Sequence, residues 1–451
     1  MPEILHAAPE DLDTREKRGT FTVSVTGCNK EGVFYSIAFA EAGFRVIITD
    51  EDQNTIRRLA KGKLSFINGE LDSKLKNLVK TGRIKGTSDL KSAVMQSDII
   101  MVTNVAKIDT KKKIDYKEVE NDCKQIGTAL RKGTVVIFGN ILGLGFIEGL
   151  ARENIENASG LKVGTDFGLA YSPSSQHGVY SAGSTDNLEL QVAALEPASL
   201  KAASIVLGTI AKKGTTEVAN IKTLELSVLF GAVQRDTNVA LSNELAILCE
   251  TLEQNYFEIL KLMERINPKI RAVPTVFGES DKVSAYLLFE AAENLNIKMH
   301  VSLVARHTNE EMTKHAVNLI QEALRDCGKT LRRARIALLG LPVPRSAAYT
   351  LFRALETKGA RINIYDPALS ENIRAEIAAS FKKTLNEAVE GTDCIIILSD
   401  QDQINRLNFR KIHAEMKPPA ALIDLVGIIE QDKVEKEGYI FRSIGKGIGK
   451  R

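Results

Sequence analysis

The sequence predicts an α/β protein in which two doubly wound parallel-sheet domains flank a helical middle. Three observations predict it. Short buried-type strands alternate with helical stretches from residue 21 onward. The alternation gives way near residue 215 to a long stretch with apolar residues at helical spacing. It returns near residue 331 on the plan of the start.

The elements follow in order. Residues 1–18 are polar and acidic and read as a flexible tail. "FTVSVTG" is an apolar strand ending in Gly27, and "VFYSIAFAEAG" is a helix stopped at Gly43. "FRVIITD" is the next strand and ends in Asp50. "SDIIMVTN" and "GTVVIFGN" are further buried strands, separated by the helical "DYKEVENDCKQIGTALRKG". These elements make the first domain, residues 19–212. Residues 213–328 form the helical centre, with one very long helix whose apolar stripe calls for a partner surface, so a homodimer is expected. Residues 329–451 form the last domain. There "RIALLG", "INIYDP", "TDCIIILSD" and "AALIDLVG" repeat the opening pattern: a strand ends at Gly340, a helix at Gly359, a strand at Asp366.

Composition bounds the function. The 451 residues carry a net charge of only +3, with 26% charged and 44% hydrophobic residues. That disfavours a nucleic-acid binder, since no basic run is interleaved with aromatics. The richest basic spot, "LRRARIALLG", runs directly into a strand and reads as its solvated entrance. Cys28, Cys123, Cys249, Cys327 and Cys394 form no CxxC pair, so neither a disulfide framework nor a metal site is expected. No signal core and no membrane-length apolar run occurs, and a cytoplasmic protein is expected.

The first strand–turn–helix–strand unit looks like a dinucleotide site, so both sheet domains read as Rossmann-like. Its motif positions are Gly27, Asn29 and Gly32, with asparagine where a second glycine usually lets the pyrophosphate approach the backbone. Asparagine tolerates unusual backbone angles better than most residues, but it still carries a side chain. Asp50 stands where an acid bonds the ribose hydroxyls, which favours NAD over NADP. The alternative is an α/β turn with no ligand.

Several strings resemble the nucleotide-sugar 6-dehydrogenases, the group acting on UDP-glucose and UDP-N-acetylmannosamine. "AFAEAGFRVIITDED" resembles their first helix and second strand, and "RDTNVALSNELAILCE" their long central helix. "AYLLFEAAE" and "ARHTNEEM" resemble the segments after their catalytic cysteine. "INIYDP", "EGTDCIIILSD" and "YIFRSIGKG" resemble their third domain, which holds the uridine diphosphate. Coverage runs from about residue 20 to the end.

The resemblance implies NAD as cofactor and a UDP-sugar as substrate. It implies cofactor contacts at Gly27, Asn29, Gly32, Asp50, Thr103 and Glu148, and substrate contacts at Arg235, Asn238 and Arg345. The family oxidises a carbinol to a carboxylate with a lysine, an asparagine, a cysteine and a glutamate. This chain departs at each of those positions: Val228, Ala232, Glu279 or Ser280, and Ser174. "NILGLGFIE" keeps Gly145 and Glu148 of a family segment but loses its hydroxyls. The usual cysteine-dependent four-electron oxidation is therefore not expected. His177, Glu279 and Ser280 are the remaining candidates for chemistry, against the plainer reading of polar loop residues. Two functions stay open: an NAD-binding oxidoreductase with a different reaction on a UDP-sugar, or an inactive sensor or partner subunit.

Overall fold

The computed structural model describes residues 3–64, 69–109, 111–173, 187–267, 273–276, 282–340, 347–367, 377, 380–400, 404 and 406–447. It divides into two compact units. The first comprises Met1–Ala232 and Val283–Lys298, the second Val233–Lys282 and Met299–Arg451. The expected helical centre is thus shared between the two units.

The first unit is built on an eight-stranded sheet. Its strands are β1 (Thr22–Thr26), β2 (Arg45–Thr49), β3 (Ile84–Thr87), β4 (Ile99–Val102), β7 (Val135–Phe138), β8 (Gly168–Tyr171), β9 (Leu190–Ala194) and β10 (Thr215–Glu217). A small antiparallel hairpin, β5 (Lys107–Ile108) and β6 (Ile114–Asp115), follows β4. The order across the sheet is β10-β9-β8-β7-β4-β1-β2-β3. All pairs are parallel except β8 with β9, so the last two strands of the sheet, β9 and β10, run opposite to the rest. β1, β4, β7 and β8 are buried along their whole length. That burial is why they read as unbroken apolar runs and not as alternating ones.

The helix Lys30–Ala42 connects β1 to β2 and lies over the sheet through Val33, Phe34, Ile37 and Phe39. Gly43 ends it in the left-handed region (φ 113°), where its N–H reaches the Phe39 and Ala40 carbonyls.

Residues 3–18, read from sequence as part of a flexible tail, are anchored at their amino-terminal end, while residues 13–17 are exposed. Ile4, Leu5, Ala7 and Leu12 are buried in the first core, and the Leu5 N–H donates to the Gly133 carbonyl at 3.0 Å. The four apolar residues are spaced among polar ones, which hid them from a reading based on local polarity.

The second unit carries a five-stranded, wholly parallel sheet of β11 (Arg335–Leu339), β12 (Arg361–Tyr365), β13 (Cys394–Ile397), β14 (Ala420–Asp424) and β15 (Tyr439–Ser443). Its order is β12-β11-β13-β14-β15, and the helix His300–Asp326 packs against it through Ala316, Ile320 and Leu324. The central helix, Ile221–Thr251, is continuous over 31 residues, as the long apolar periodicity predicted. Among the described residues no helix is long and apolar enough to cross a membrane.

Candidate functional site

In the first sheet β1 lies between β2 and β4, so the chain leaves it toward opposite sides. The crevice beyond the carboxyl ends of β1 and β4 is the usual place for a ligand in such a sheet. The predicted motif sits there. Gly27 has φ 88° and its N–H donates to the Thr49 carbonyl at 2.9 Å. A Cβ on Gly27 would lie 2.2 Å from Asn104 Oδ1, and one on Gly32 would lie 2.0 Å from the Gly27 carbonyl oxygen. Both positions therefore need glycine for space, and Gly27 needs it for backbone angle as well.

Asn29 makes no use of the unusual backbone angles that asparagine tolerates. Its backbone is extended, at φ −102° and ψ −174°. Its side chain is what matters. Oδ1 accepts the Gly32 N–H at 2.8 Å, and Nδ2 donates to the Thr103 carbonyl at 2.8 Å. Asn29 is thus the N-cap of the helix Lys30–Ala42 and a tie to the end of β4.

Asp50 also faces the turn. Its Oδ2 accepts the Cys28 N–H at 3.1 Å and its Oδ1 the Asp52 N–H at 2.9 Å. Thr103 is fully buried and its hydroxyl donates to the Thr26 carbonyl. Gly27, Asn29, Gly32, Asp50 and Thr103 are therefore brought together. Glu148 lies in the π-helical turn Ile147–Ala151 after β7, 3.6 Å from Lys222 Nζ. Cys28 is no nucleophile: burial first, and then the Asp50 charge, push its thiol up to about 12.

Sequence reasoning missed four polar groups of this unit. Asn104 Nδ2 donates to Asp122 Oδ2 at 2.6 Å, and the Asn140 amide donates to the Asn104 carbonyl. Burial, with help from Glu118, Glu51 and Asp50, raises the Asp122 carboxyl to about 7. Glu225, on the first turns of the central helix, accepts the Gly145 N–H at 2.8 Å. Burial raises its carboxyl to about 7 as well. Glu225 Oε1, Tyr171 Oη, Ser172 Oγ and Asn140 Oδ1 are buried with no hydrogen-bond partner among the described residues. A signal for two of these residues was present: "SDIIMVTN" and "GTVVIFGN" both end in asparagine just beyond a buried strand.

Val228 and Ala232 are 4% and 0% exposed. Val228 belongs to an apolar cluster with Leu142, Phe146, Ile147 and Tyr171. An aliphatic side chain suits that packing, and neither residue can carry a proton.

In the second unit the string "RDTNVALSNELAILCE" contributes to a buried network. Arg306 Nη1 pairs with Asp236 Oδ1 at 2.7 Å, and both side chains are almost fully buried. Asn309 Nδ2 donates to Asp236 Oδ1 at 2.9 Å, and Asn243 Nδ2 donates to Asn309 Oδ1 at 2.8 Å. The Thr275 N–H, in turn, donates to Asn243 Oδ1 at 2.8 Å. Beside this network Arg235 is half-buried and Asn238 is exposed. At the end of β11, Gly340 has φ 78° and its N–H donates to the Tyr365 carbonyl at 3.0 Å. The Asp424 carboxylate accepts the N–H groups of Val426, Gly427 and Ile429 after β14. His177, Glu279, Ser280 and Arg345 lie outside the described residues, as does Ser174.

Residues 21–178 match the NAD binding domain of the UDP-glucose/GDP-mannose dehydrogenase family, and residues 343–431 match the UDP binding domain of the same family. The chain is 26% identical over 437 residues to UDP-N-acetyl-D-mannosamine dehydrogenase of Pyrococcus horikoshii, covering 94% of this chain and 99% of that protein. It is 25% identical over 454 residues to UDP-glucose 6-dehydrogenase of Rhizobium meliloti, with 94% and 99% covered. The fold is similar to the solved structure of a UDP-D-ManNAc dehydrogenase from Pyrococcus horikoshii, at TM-score 0.80, 24% identity, and 94% and 99% coverage.

Proposed function

The chain belongs to the UDP-glucose/GDP-mannose dehydrogenase family, and from that premise we propose that it performs a two-electron reaction on a UDP-sugar, not the cysteine-dependent four-electron oxidation. Its first sheet domain is an NAD-binding domain and its last a UDP-binding domain of that family. The observation that carries the proposal is the burial of Val228 and Ala232, aliphatic at the two central-helix positions where the family resemblance places proton-handling groups.

The residues at the first crevice fit NAD. Gly27 makes the tight turn, the helix from Lys30 points its amino end at the crevice, and Asp50 stands at the end of β2. The carboxylates of Asp50 and Glu51 raise the cost of placing a further phosphate there, which favours NAD over NADP. NAD, when bound, supplies the electron acceptor of a carbinol oxidation.

Such an oxidation leaves one proton for the protein to take. His177 and Glu279 are the proposed acceptors, and Ser280 a proposed contact to the substrate hydroxyl. Arg235, Asn238 and Arg345 are the proposed contacts to the nucleotide sugar. Two copies of the chain are proposed to pair along the central helix. Leu241 and Leu248 are 55% and 51% exposed there, seven residues apart on one side of the helix, and Leu252, just past its end, is 59% exposed. The thiols, all free and buried, suit a reducing cytoplasm.

The test is a panel of UDP-sugars with NAD, followed by absorbance of the reduced cofactor. One sugar is expected to give a signal that falls at least about tenfold in His177→Gln or Glu279→Gln. No signal with any sugar, together with thermal stabilisation by UDP-sugar, would favour the second reading: a nucleotide-sugar sensor or partner subunit. The aliphatic packing at Val228 is the observation that keeps that reading in view.

A further inference from the structure

We propose that Asn29 is an affinity-determining residue of the cofactor site, an internal cap that the pyrophosphate must displace; this rests on the NAD reading above. The geometry carries the proposal. The Asn29 amide lies between the carboxyl ends of β1 and β4, held at 2.8 Å from both the Gly32 nitrogen and the Thr103 carbonyl oxygen. A pyrophosphate in such a fold takes N–H groups at this same helix start. Here one of those N–H groups is already satisfied by a neutral side-chain oxygen of the chain itself.

A second observation points the same way. The Asn104 amide closes over the turn glycine, near enough that a Cβ on Gly27 would lie 2.2 Å from its Oδ1. Its Nδ2 is bound at 2.6 Å to Asp122. The pyrophosphate path is thus bordered by two asparagine side chains, each fixed by hydrogen bonds. A ligand that needs Asn29 to swing aside binds in proportion to the fraction of molecules in which it has done so. Asn29 must then lose both of its hydrogen bonds, to Gly32 and to Thr103, before the phosphates reach the backbone.

Glycine makes the decisive substitution. It removes the side chain, tolerates the extended backbone of residue 29, and serves nearly as well as asparagine at an N-cap. Isothermal titration calorimetry of NAD against the full chain and Asn29→Gly should show tightening by about tenfold or more in the variant. Asn29→Asp keeps the cap acceptor but adds a negative charge, and should weaken NAD binding by at least as much. Thermal melts of each variant without NAD check that all are folded. Unchanged or weaker NAD binding by folded Asn29→Gly, with clear binding by the parent, overturns the role of Asn29 and leaves the NAD reading standing. If folded parent and folded Asn29→Gly both show no NAD binding, the NAD reading falls and this proposal with it.

Discussion

The two parallel sheets are the same device built twice, and they differ in one informative place. In the first, the Thr22 N–H donates to Asp98 Oδ2 at 2.9 Å; in the second, the Arg335 N–H donates to Asp393 Oδ2 at 2.8 Å. The Asp98 N–H returns a bond to the Thr22 carbonyl, and the Asp393 N–H to that of Arg335. Gly27 and Gly340 close equivalent turns, bonded to the ends of β2 and β12. The residue facing each turn glycine also corresponds: Asn104 over Gly27 and Ser399 over Gly340. There the likeness ends. Asn104 is tied to Asp122, whereas Ser399 Oγ is buried with no partner among the described residues. Hydrogen bonds that hold the strands are duplicated; those that border the ligand crevice are not. The two sheets therefore share their strand framework and differ at the turn.

The largest effect that would probe this comparison is on the framework of the first sheet. Gly32→Ala places a Cβ 2.0 Å from a backbone oxygen, which cannot yield as a side chain can. It should cost about 3 kcal/mol in stability and abolish NAD binding, read by chemical denaturation and calorimetry. A fully stable variant would show that the turn is not as tight as described.

The next effect separates the crevices by pH. Asp122 titrates at about 7 in the folded chain and at 3.8 ordinarily. Between those values the folded chain keeps a proton that the unfolded chain has released, so stability falls as pH rises from about 4 to about 7. Asp122→Asn should remove that slope and be more stable than the parent at pH 8, on the order of 2–4 kcal/mol. Glu225, raised from 4.5 to about 7 by burial, adds a slope of the same sign that Glu225→Gln should remove. Melting curves across pH decide both, and a parent with no such slope would contradict the burial of these carboxyls.

A smaller and symmetric effect tests the duplication itself. Asp98→Ala and Asp393→Ala should each cost about 1–2 kcal/mol, and the two costs should agree. Unequal losses, measured by denaturation of the two variants, would mean that one of the paired bonds is incidental. The smallest effect is expected at Lys222→Ala. The Lys222–Glu148 pair is exposed on the lysine side, and stability should change by less than about 1 kcal/mol.

Most of the architecture was legible because buried parallel strands leave continuous apolar runs and glycines mark where helices stop. Gly27, Gly43, Gly340 and Gly359 all adopt positive φ at the predicted boundaries. The reversal at β9 was not legible, since a strand of either direction has the same local pattern. The packed residues near the amino end were missed because Ile4, Leu5 and Leu12 are isolated in a polar stretch. At the site, Asn29 was recognised as a departure; its cap on Gly32 is local, but its bond to Thr103 depends on a contact across 74 residues. Asp122 and Glu225 were invisible for the same reason: only the fold buries them. The string around Asp236 and Asn243 looked like a signature of function, and the structure shows a buried network behind it.

The central claim is that the chain retains a cofactor and nucleotide-sugar framework without the means to trap an aldehyde. The most direct measurement is the ratio of reduced cofactor formed to UDP-sugar consumed, with the product identified by mass spectrometry. A ratio no greater than one, with an aldehyde, ketone or unchanged sugar, is the predicted result. Two reduced cofactors per sugar, with a uronic acid as product, would contradict it.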